Sequence, residues 1–410
     1  MNILTFTTLY PNDSQPNHGL FVEHRVRRVA ASGEARVRVL APVAWFPSTH
    51  PRFGNYAGLA RVPRTDLRHG LRIDHPRFPL IPKIGMNLTP WTMAAAMIGP
   101  VGDILRQGFA IDLIDAHFLY PDGVAAALLG QWFDRPVVLT GRGTDITLIP
   151  NHRIPRRMIA WACRKAKAVI TVCNALKQAL IPLGIPEEHI RVLPNGVDLE
   201  LFRPLDRDAA RRELGIEGTT LLSVGHLVRR KGHDIPIRAL PSLPGVRLVV
   251  AGGGGTFEDD NELVLKRLAR DLGVADRVCF AGPVPQARLP MHYSAADILV
   301  LASTREGWAN VLLEAMACGL PVIASNVWGT PEVVAAPEAG VLMEERSVAG
   351  FLAAFGRLGA AMPERSATRA YAERFSWDRT TRGQLELFDG ILRGDVPNSL
   401  DTRRERNMRT

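Results

Sequence analysis

Short apolar runs alternate with helix-patterned segments along nearly all of this chain, and midway the pattern stops and starts again. An apolar run too short for a helix, then a stretch with apolar positions three and four apart, is the mark of a βαβ unit. A succession of such units builds a parallel sheet covered by helices on both faces. In the first half the runs fall at residues 3–7, 37–40, 111–115, 137–140, 168–172 and 191–193, with helical stretches such as 21–31 and 122–131 between them. After Asn195-Gly196-Val197-Asp198 comes a proline-punctuated link, Phe202-Arg203-Pro204, and new runs follow at 220–224, 247–251, 278–280, 298–301, 321–324 and 340–343. A chain of 410 residues also exceeds what one hydrophobic core organises. The sequence therefore predicts an α/β protein of two doubly wound, Rossmann-like domains, residues 1–200 and 201–375. Ser376 is placed to cap a closing helix over 376–392 that packs back on the first domain. Residues 393–410, with Arg403, Arg404, Arg406 and Arg409, read as a basic disordered tail.

The bulk features exclude several classes. Cys163, Cys173, Cys279 and Cys318 form no CxxC pair and no histidine-bearing cluster, which points to a reducing compartment and no metal site. Met1-Asn2-Ile3-Leu4-Thr5-Phe6 has no basic segment before it and reads as a first strand. The longest apolar stretch, 93–101, is broken by Gly99-Pro100 and is too short to span a bilayer. A cytoplasmic protein is expected. The net charge of +9 lies almost wholly in the first half, where 23 lysines and arginines face 15 acidic residues, against 27 and 26 in the remainder. Seven basic residues between Arg52 and Lys83 face only Asp66 and Asp74, with Phe53, Tyr56, Phe78 and Trp91 in or near the segment. Such a segment suits an anionic inner membrane face or a phosphate-bearing acceptor, and equally a solvated loop; no nucleic-acid partner is implied.

The most informative stretch is Arg305-Glu306-Gly307-Trp308-Ala309-Asn310-Val311-Leu312-Leu313-Glu314. It follows a buried strand and opens a helix near Ala309, so the backbone N–H groups from Trp308 to Val311 sit at a helix N-terminus, where anions are stabilised. Glu306 and Glu314 are eight residues apart, a helical rise of about 12 Å. One carboxylate can accept from sugar hydroxyls and the other from a ribose, with a diphosphate between. A second cluster, Val224-Gly225-His226-Leu227-Val228-Arg229-Arg230-Lys231-Gly232, also follows a strand, where ligands approach a doubly wound sheet. Its cations suit the charge that develops on a departing diphosphate. Leu248-Val249-Val250-Ala251 runs into Gly252-Gly253-Gly254-Gly255, but Phe257 and Glu258 break a dinucleotide-binding register, so a tight strand-to-helix turn is expected.

Over nearly its whole length, and most strongly over residues 192–334, the chain resembles the family 4 glycosyltransferases of the GT-B fold. Their hallmark is two glutamates separated by seven residues, with Tyr293-Ser294-Ala295-Ala296-Asp297 before it and Gly319-Leu320-Pro321-Val322-Ile323-Ala324 and Gly329-Thr330-Pro331-Glu332 after it. The resemblance implies two Rossmann-like domains facing across a cleft. It assigns Glu306 to the donor hexose and Glu314 to the ribose, with Asn310 and the backbone of Gly307, Trp308 and Val311 holding sugar and phosphate. Lys231 matches the family lysine, whereas His226 stands where relatives carry arginine, which leaves open whether Arg229 or Arg230 is the second cation or whether only one is used. Phe280-Ala281-Gly282-Pro283-Val284 resembles the loop whose backbone contacts the base, so Val284 is expected there. In the first domain Asn17-His18-Gly19 resembles a cleft-lining glycine loop, and His117 in Asp115-Ala116-His117-Phe118 takes the place of a donor-contacting histidine. Thr140-Gly141-Arg142-Gly143-Thr144-Asp145 resembles a His-Gly-Ser-Asp loop with Arg142 in place of a small residue, which makes Asp145 an acceptor-side candidate.

The expected reaction is retaining transfer of a hexose from a nucleotide diphosphate-sugar, UDP-linked, to a glycan or polyprenyl-diphosphate-linked acceptor, as in exopolysaccharide assembly. Lys231 and a helix N-terminus stabilise the leaving diphosphate, and neither a metal nor another cofactor is called for. The one DxD, Asp206-Arg207-Asp208, lies in the interdomain link and reads as surface. The alternative is a sugar-nucleotide epimerase or hydrolase on the same architecture. A sugar-binding module predicts binding without turnover, and a dinucleotide oxidoreductase lacks its glycine register.

Overall fold

The computed structural model describes residues 1–80, 85–254 and 261–395. They form two compact units: residues 1–195 with the chain from Asp378 onward, and Gly196–Trp377. In the first unit the strands are β1 (Asn2–Phe6), β2 (Arg36–Leu40), β3 (Val43–Ala44), β4 (Thr65–Arg68), β5 (Leu71–Asp74), β6 (Arg77–Phe78), β7 (Leu113–His117), β8 (Val137–Gly141), β9 (Ala168–Thr171) and β10 (Ile190–Val192). Eight of them make one sheet in the order β10-β9-β8-β7-β1-β2-β5-β4, parallel apart from β4, while β3 pairs with β6. β7, β8 and β9 are buried along their whole length, which is why they read as continuous apolar runs.

Two features of this sheet differ from the expectation. β7 starts and ends two residues later than the apolar run at 111–115, so His117 is its last residue. Within the basic segment lies a β4–β5 hairpin whose turn residues His69 and Gly70 both have positive φ, 50° and 77°, the conformation that matches the twist of paired strands. Its Arg68 meets Glu23 at 2.6 Å and its Arg72 meets Asp74 at 3.1 Å, so part of the basic run is already paired. Lys83 lies outside the described residues.

The helix Trp377–Arg393 returns to this first unit. Its Leu385, Phe388 and Ile391 share a core with Ile3, Leu113, Val138 and Ile170. Thr380 donates to the carbonyl of Pro194 at 2.6 Å, and Gln384 donates to Asp115 at 3.0 Å. The tail expected to be disordered lies, from residue 396, outside the described residues.

In the second unit the strands are β11 (Thr220–Val224), β12 (Arg247–Ala251), β13 (Val278–Gly282), β14 (Ile298–Leu301), β15 (Val322–Ser325) and β16 (Gly340–Met343). They pair in parallel in the order β13-β12-β11-β14-β15-β16. Leu221, Leu248, Val250, Val300 and Ile323 belong to its core, closed by Phe351, Ala354 and Leu358 of the helix Val348–Ala360. Asp206 accepts from the N–H of Ala209 at 2.9 Å, so the DxD caps the helix Arg207–Leu214. Among the described residues no helix is long and apolar enough to cross a membrane.

Candidate active site

Each sheet has one place where the strand order turns back on itself, and the loops leaving the strand ends there diverge to leave a crevice. In the second unit that place is between β11 and β14, which pair through Leu221–Ile298 and Leu222–Leu299. The loop after β11 carries His226 to Lys231, and the loop after β14 carries Ser303 to Trp308. Glycine stitches them together. Gly232, at φ 71°, caps the turn Arg229–Lys231, and a Cβ there would stand 2.0 Å from the carbonyl of Ala302. The N–H of Thr304 donates to the carbonyl of Arg230 at 2.8 Å.

This close approach puts the Lys231 ammonium 2.7 Å from Oε1 of Glu306, where the Ser303 hydroxyl also donates at 2.7 Å. Burial works to raise the pKa of Glu306, but the charge and hydrogen bond of Lys231, the Ser303 hydroxyl and the charge of Arg230 outweigh it. The carboxyl therefore sits below its ordinary range, ionised. Of the two candidates for a second cation, Arg230 is the one whose charge reaches Glu306; Arg229 is exposed, as is His226. His233, absent from the expectation, bridges Ser223 at 2.8 Å and the carbonyl of His226 at 3.1 Å, and burial lowers its pKa to about 4.

Glu314 lies in the helix Asn310–Ala317, whereas Glu306 lies in the loop before it. The eight-residue interval is thus loop and then helix, which corrects the expected continuous helical rise. The Tyr293 hydroxyl donates to Glu314 at 2.9 Å, but burial dominates and pushes the carboxyl up to about 7. Gly307, Asn310 and Val311 are partly exposed around the start of this helix, while Trp308 is buried, its ring centroid 6.1 Å from that of Phe375. Gly252 donates to the carbonyl of Gly282 at 2.8 Å, and a Cβ on it would lie 1.8 Å from the Gly225 carbonyl. The loops after β11, β12 and β13 are held together in this way, with Val284 half-buried beside them. Gly255, Phe257 and Glu258 lie outside the described residues.

In the first unit the corresponding place is between β1 and β7. Gly19 precedes the helix Leu20–Ala31 at φ 74°, and a Cβ there would stand 2.3 Å from the carbonyl of Leu9. The fold-back of its own loop therefore requires glycine at this position. His117 is fully buried, and the guanidinium of Arg142 lies 2.6 Å from its Nδ1. An arginine only donates, so the ring proton is on Nε2, which faces Asp115 at 3.2 Å. Burial lowers its pKa to about 4, so the ring is neutral. Nδ1 is thus taken by Arg142, while Nε2 lies beside Asp115 without a hydrogen-bond partner of its own.

Arg142 explains its own departure from the family pattern, since it also donates to Asn195 at 3.1 Å and lies over the Phe21 ring at 5.3 Å. Asp145, the acceptor-side candidate, is fully buried. It accepts from the backbone N–H groups of Leu119 at 2.7 Å, Gly143 at 2.7 Å and Arg142 at 3.0 Å. In this position it shapes the loop after β8. Asp122, which no motif marks, is buried and bonded to the backbone and hydroxyl of Thr8, tying the loops after β1 and β7; burial raises its pKa to about 7.

Residues 206–375 match the family described as glycosyl transferases group 1, and residues 26–201 match glycosyltransferase family 4. The D-inositol 3-phosphate glycosyltransferase of Acidothermus cellulolyticus is 39% identical over 314 residues, which cover 71% of this chain and 69% of that relative. The chain is a family 4 glycosyltransferase. The enzyme of the same name from Mycobacterium leprae is 35% identical over 301 residues, covering 71% of this chain and 66% of its own length. Sucrose-phosphate synthase from Thermosynechococcus elongatus superposes with a TM-score of 0.78 at 21% identity, over 96% of this chain and 99% of that one. Anabaena Alr3699/HepE, in complex with UDP and glucose, does so with a TM-score of 0.73 at 22% identity, over 95% and 100%. These likenesses establish the two Rossmann-like units of the GT-B architecture for this glycosyltransferase.

Proposed function

We propose that this glycosyltransferase moves a hexose, with retention, from a nucleoside diphosphate-sugar to the hydroxyl of a phosphate-bearing acceptor. The observation that carries the reading is the Lys231–Glu306 pair at the turning point of the second sheet. A cation there is placed to meet a diphosphate, and the carboxylate released from it is placed to accept from sugar hydroxyls. In the proposed step the bond from the anomeric carbon to the diphosphate breaks and a bond to the acceptor oxygen forms. The acceptor proton passes to the departing diphosphate on the same face. Lys231, Arg230 and the start of the helix Asn310–Ala317 neutralise that leaving group. Glu314 takes the ribose.

A phosphate-bearing acceptor is supported by the relatives at 39% and 35% identity, both named for D-inositol 3-phosphate. A second reading, a polyprenyl-diphosphate-linked glycan of exopolysaccharide assembly met at an anionic membrane, is favoured by the uncharged outer face of the helix Thr89–Arg106.

The test is turnover with UDP-, GDP- and ADP-linked hexoses, UDP first, with inositol phosphate and lipid-linked diphosphate acceptors. Product is expected only when an acceptor is present, and Lys231→Ala should lower kcat by about 10²–10³. Equal product from donor alone overturns the reading in favour of a hydrolase or epimerase.

A further inference from the structure

The helix Thr89–Arg106 buries Met93, Met97, Val101 and Ile104. Its opposite stripe, Leu88, Trp91, Ala95 and Gly99, is exposed at intervals of three and four residues, which put it on one line of the helix. Leu88 is 49% and Trp91 51% exposed, and the first charged residue of the helix is Asp103. A surface helix ordinarily sets charge opposite its core stripe; here most of the outer face has none.

Neighbouring elements extend the patch. Thr92 donates to the carbonyl of Pro79 at 3.1 Å, which holds exposed Leu80 beside the helix start. The turn Gly85–Asn87 presents exposed Met86 and packs against the helix Arg153–Lys165, on which Ile154 is 47% exposed. Arg153, Arg156 and Arg157 on that helix are exposed too. Up to Asp103, the segments that form the patch carry charge of one sign. No acidic residue occurs between Asp74 and Asp103, nor between Asp145 and Glu187, and the second interval holds seven lysines and arginines. The basic segment marked by composition is less free. Phe46 packs against Phe53 and Tyr56 at 5.3 and 5.2 Å, and Arg61 donates to the carbonyl of Thr49 at 2.8 Å.

We propose that the face formed by Leu80, Met86, Leu88, Trp91 and Ile154, rimmed by Arg153, Arg156 and Arg157, seats this protein on an anionic lipid bilayer. Tryptophan and aliphatic side chains enter the boundary between headgroups and acyl chains, while arginines meet the lipid phosphates. Charge complementarity argues for this occupant, because Arg153, Arg156 and Arg157 are exposed beside the apolar stripe and Asp103, which ends that stripe, is already paired with Arg106. The proposal rests on the lipid-linked acceptor reading for its purpose, but the binding is read without turnover.

The test is co-sedimentation of the full chain with vesicles of phosphatidylglycerol and phosphatidylethanolamine, against phosphatidylcholine alone, at about 0.1 M salt. Binding to the anionic vesicles only is expected. The pair Leu88→Ser and Trp91→Ser, and separately the triple Arg153→Gln, Arg156→Gln and Arg157→Gln, should each weaken it about tenfold or more. Thermal stabilisation of these variants by UDP should match that of the parent protein, which shows that they fold. No binding to anionic vesicles, or binding that both variants keep, overturns the proposal. Self-association that the same variants abolish, with no vesicle binding, also overturns it by making this face a contact between copies. Vesicle binding without any nucleotide stabilisation removes the transferase site reading instead.

Discussion

At Glu306 an ammonium lies 2.7 Å away and keeps the carboxyl ionised, whereas Glu314 has a tyrosine hydroxyl at 2.9 Å and a carboxyl pushed up to about 7 by burial. The folded state therefore holds a proton on Glu314 that the unfolded chain has released at a lower pH. Its contribution to stability is present in acid and lost as pH rises from the ordinary glutamate range through about 7. Glu314→Gln should thus raise Tm over the parent little at about pH 5 and most at about pH 8, in thermal unfolding followed by circular dichroism. A gain independent of pH contradicts the raised pKa. If the carboxylate takes the ribose, affinity for UDP in the parent should also rise with pH through about 7, and the glutamine variant should lose that slope. The two glutamates were legible because their spacing is local to one loop and one helix. Their unequal protonation was not, since Lys231 and Tyr293 lie 75 and 21 residues away in sequence.

At the scale of elements, the closing helix Trp377–Arg393 supplies Phe388, fully buried among residues of β1, β7, β8 and β9. Phe388→Ala should cost about 3–5 kcal/mol, measured as a shifted urea midpoint. Leu392→Ala, at a position 39% exposed, is the control and should cost less than about 1 kcal/mol. Equal losses would mean that the helix packs elsewhere. The helical pattern of 376–392 is visible in the sequence because apolar residues repeat on one face. The β4–β5 hairpin is hidden, because most of its side chains are partly or fully exposed and it extends the sheet edge with charge.

For the whole molecule, the two units have separate cores and separate turning points in their sheets. A nucleoside diphosphate held by the loops after β11 and β14 should stabilise the second unit first, by about 2.7 kcal/mol at a hundredfold excess over Kd. Hydrogen exchange with and without UDP should show the larger gain in protection between Thr220 and Met343, and a gain confined to residues 1–195 would move the donor site.

Alternating apolar runs identified parallel sheets, and a glutamate spacing that resembles a known family located the loop and helix of the candidate site. Both are carried by residues close together in the chain, where periodicity and short motifs have direct physical meaning. The tertiary structure alone decided which groups meet: Lys231 with Glu306, Arg142 with His117, Asp122 with Thr8, and Gln384 with Asp115. It also showed that His117 and Asp145 are fully buried, which their motifs did not signal. Strand order sets these pairs, and strand order depends on packing between segments far apart in the chain, about which neither segment alone carries any record.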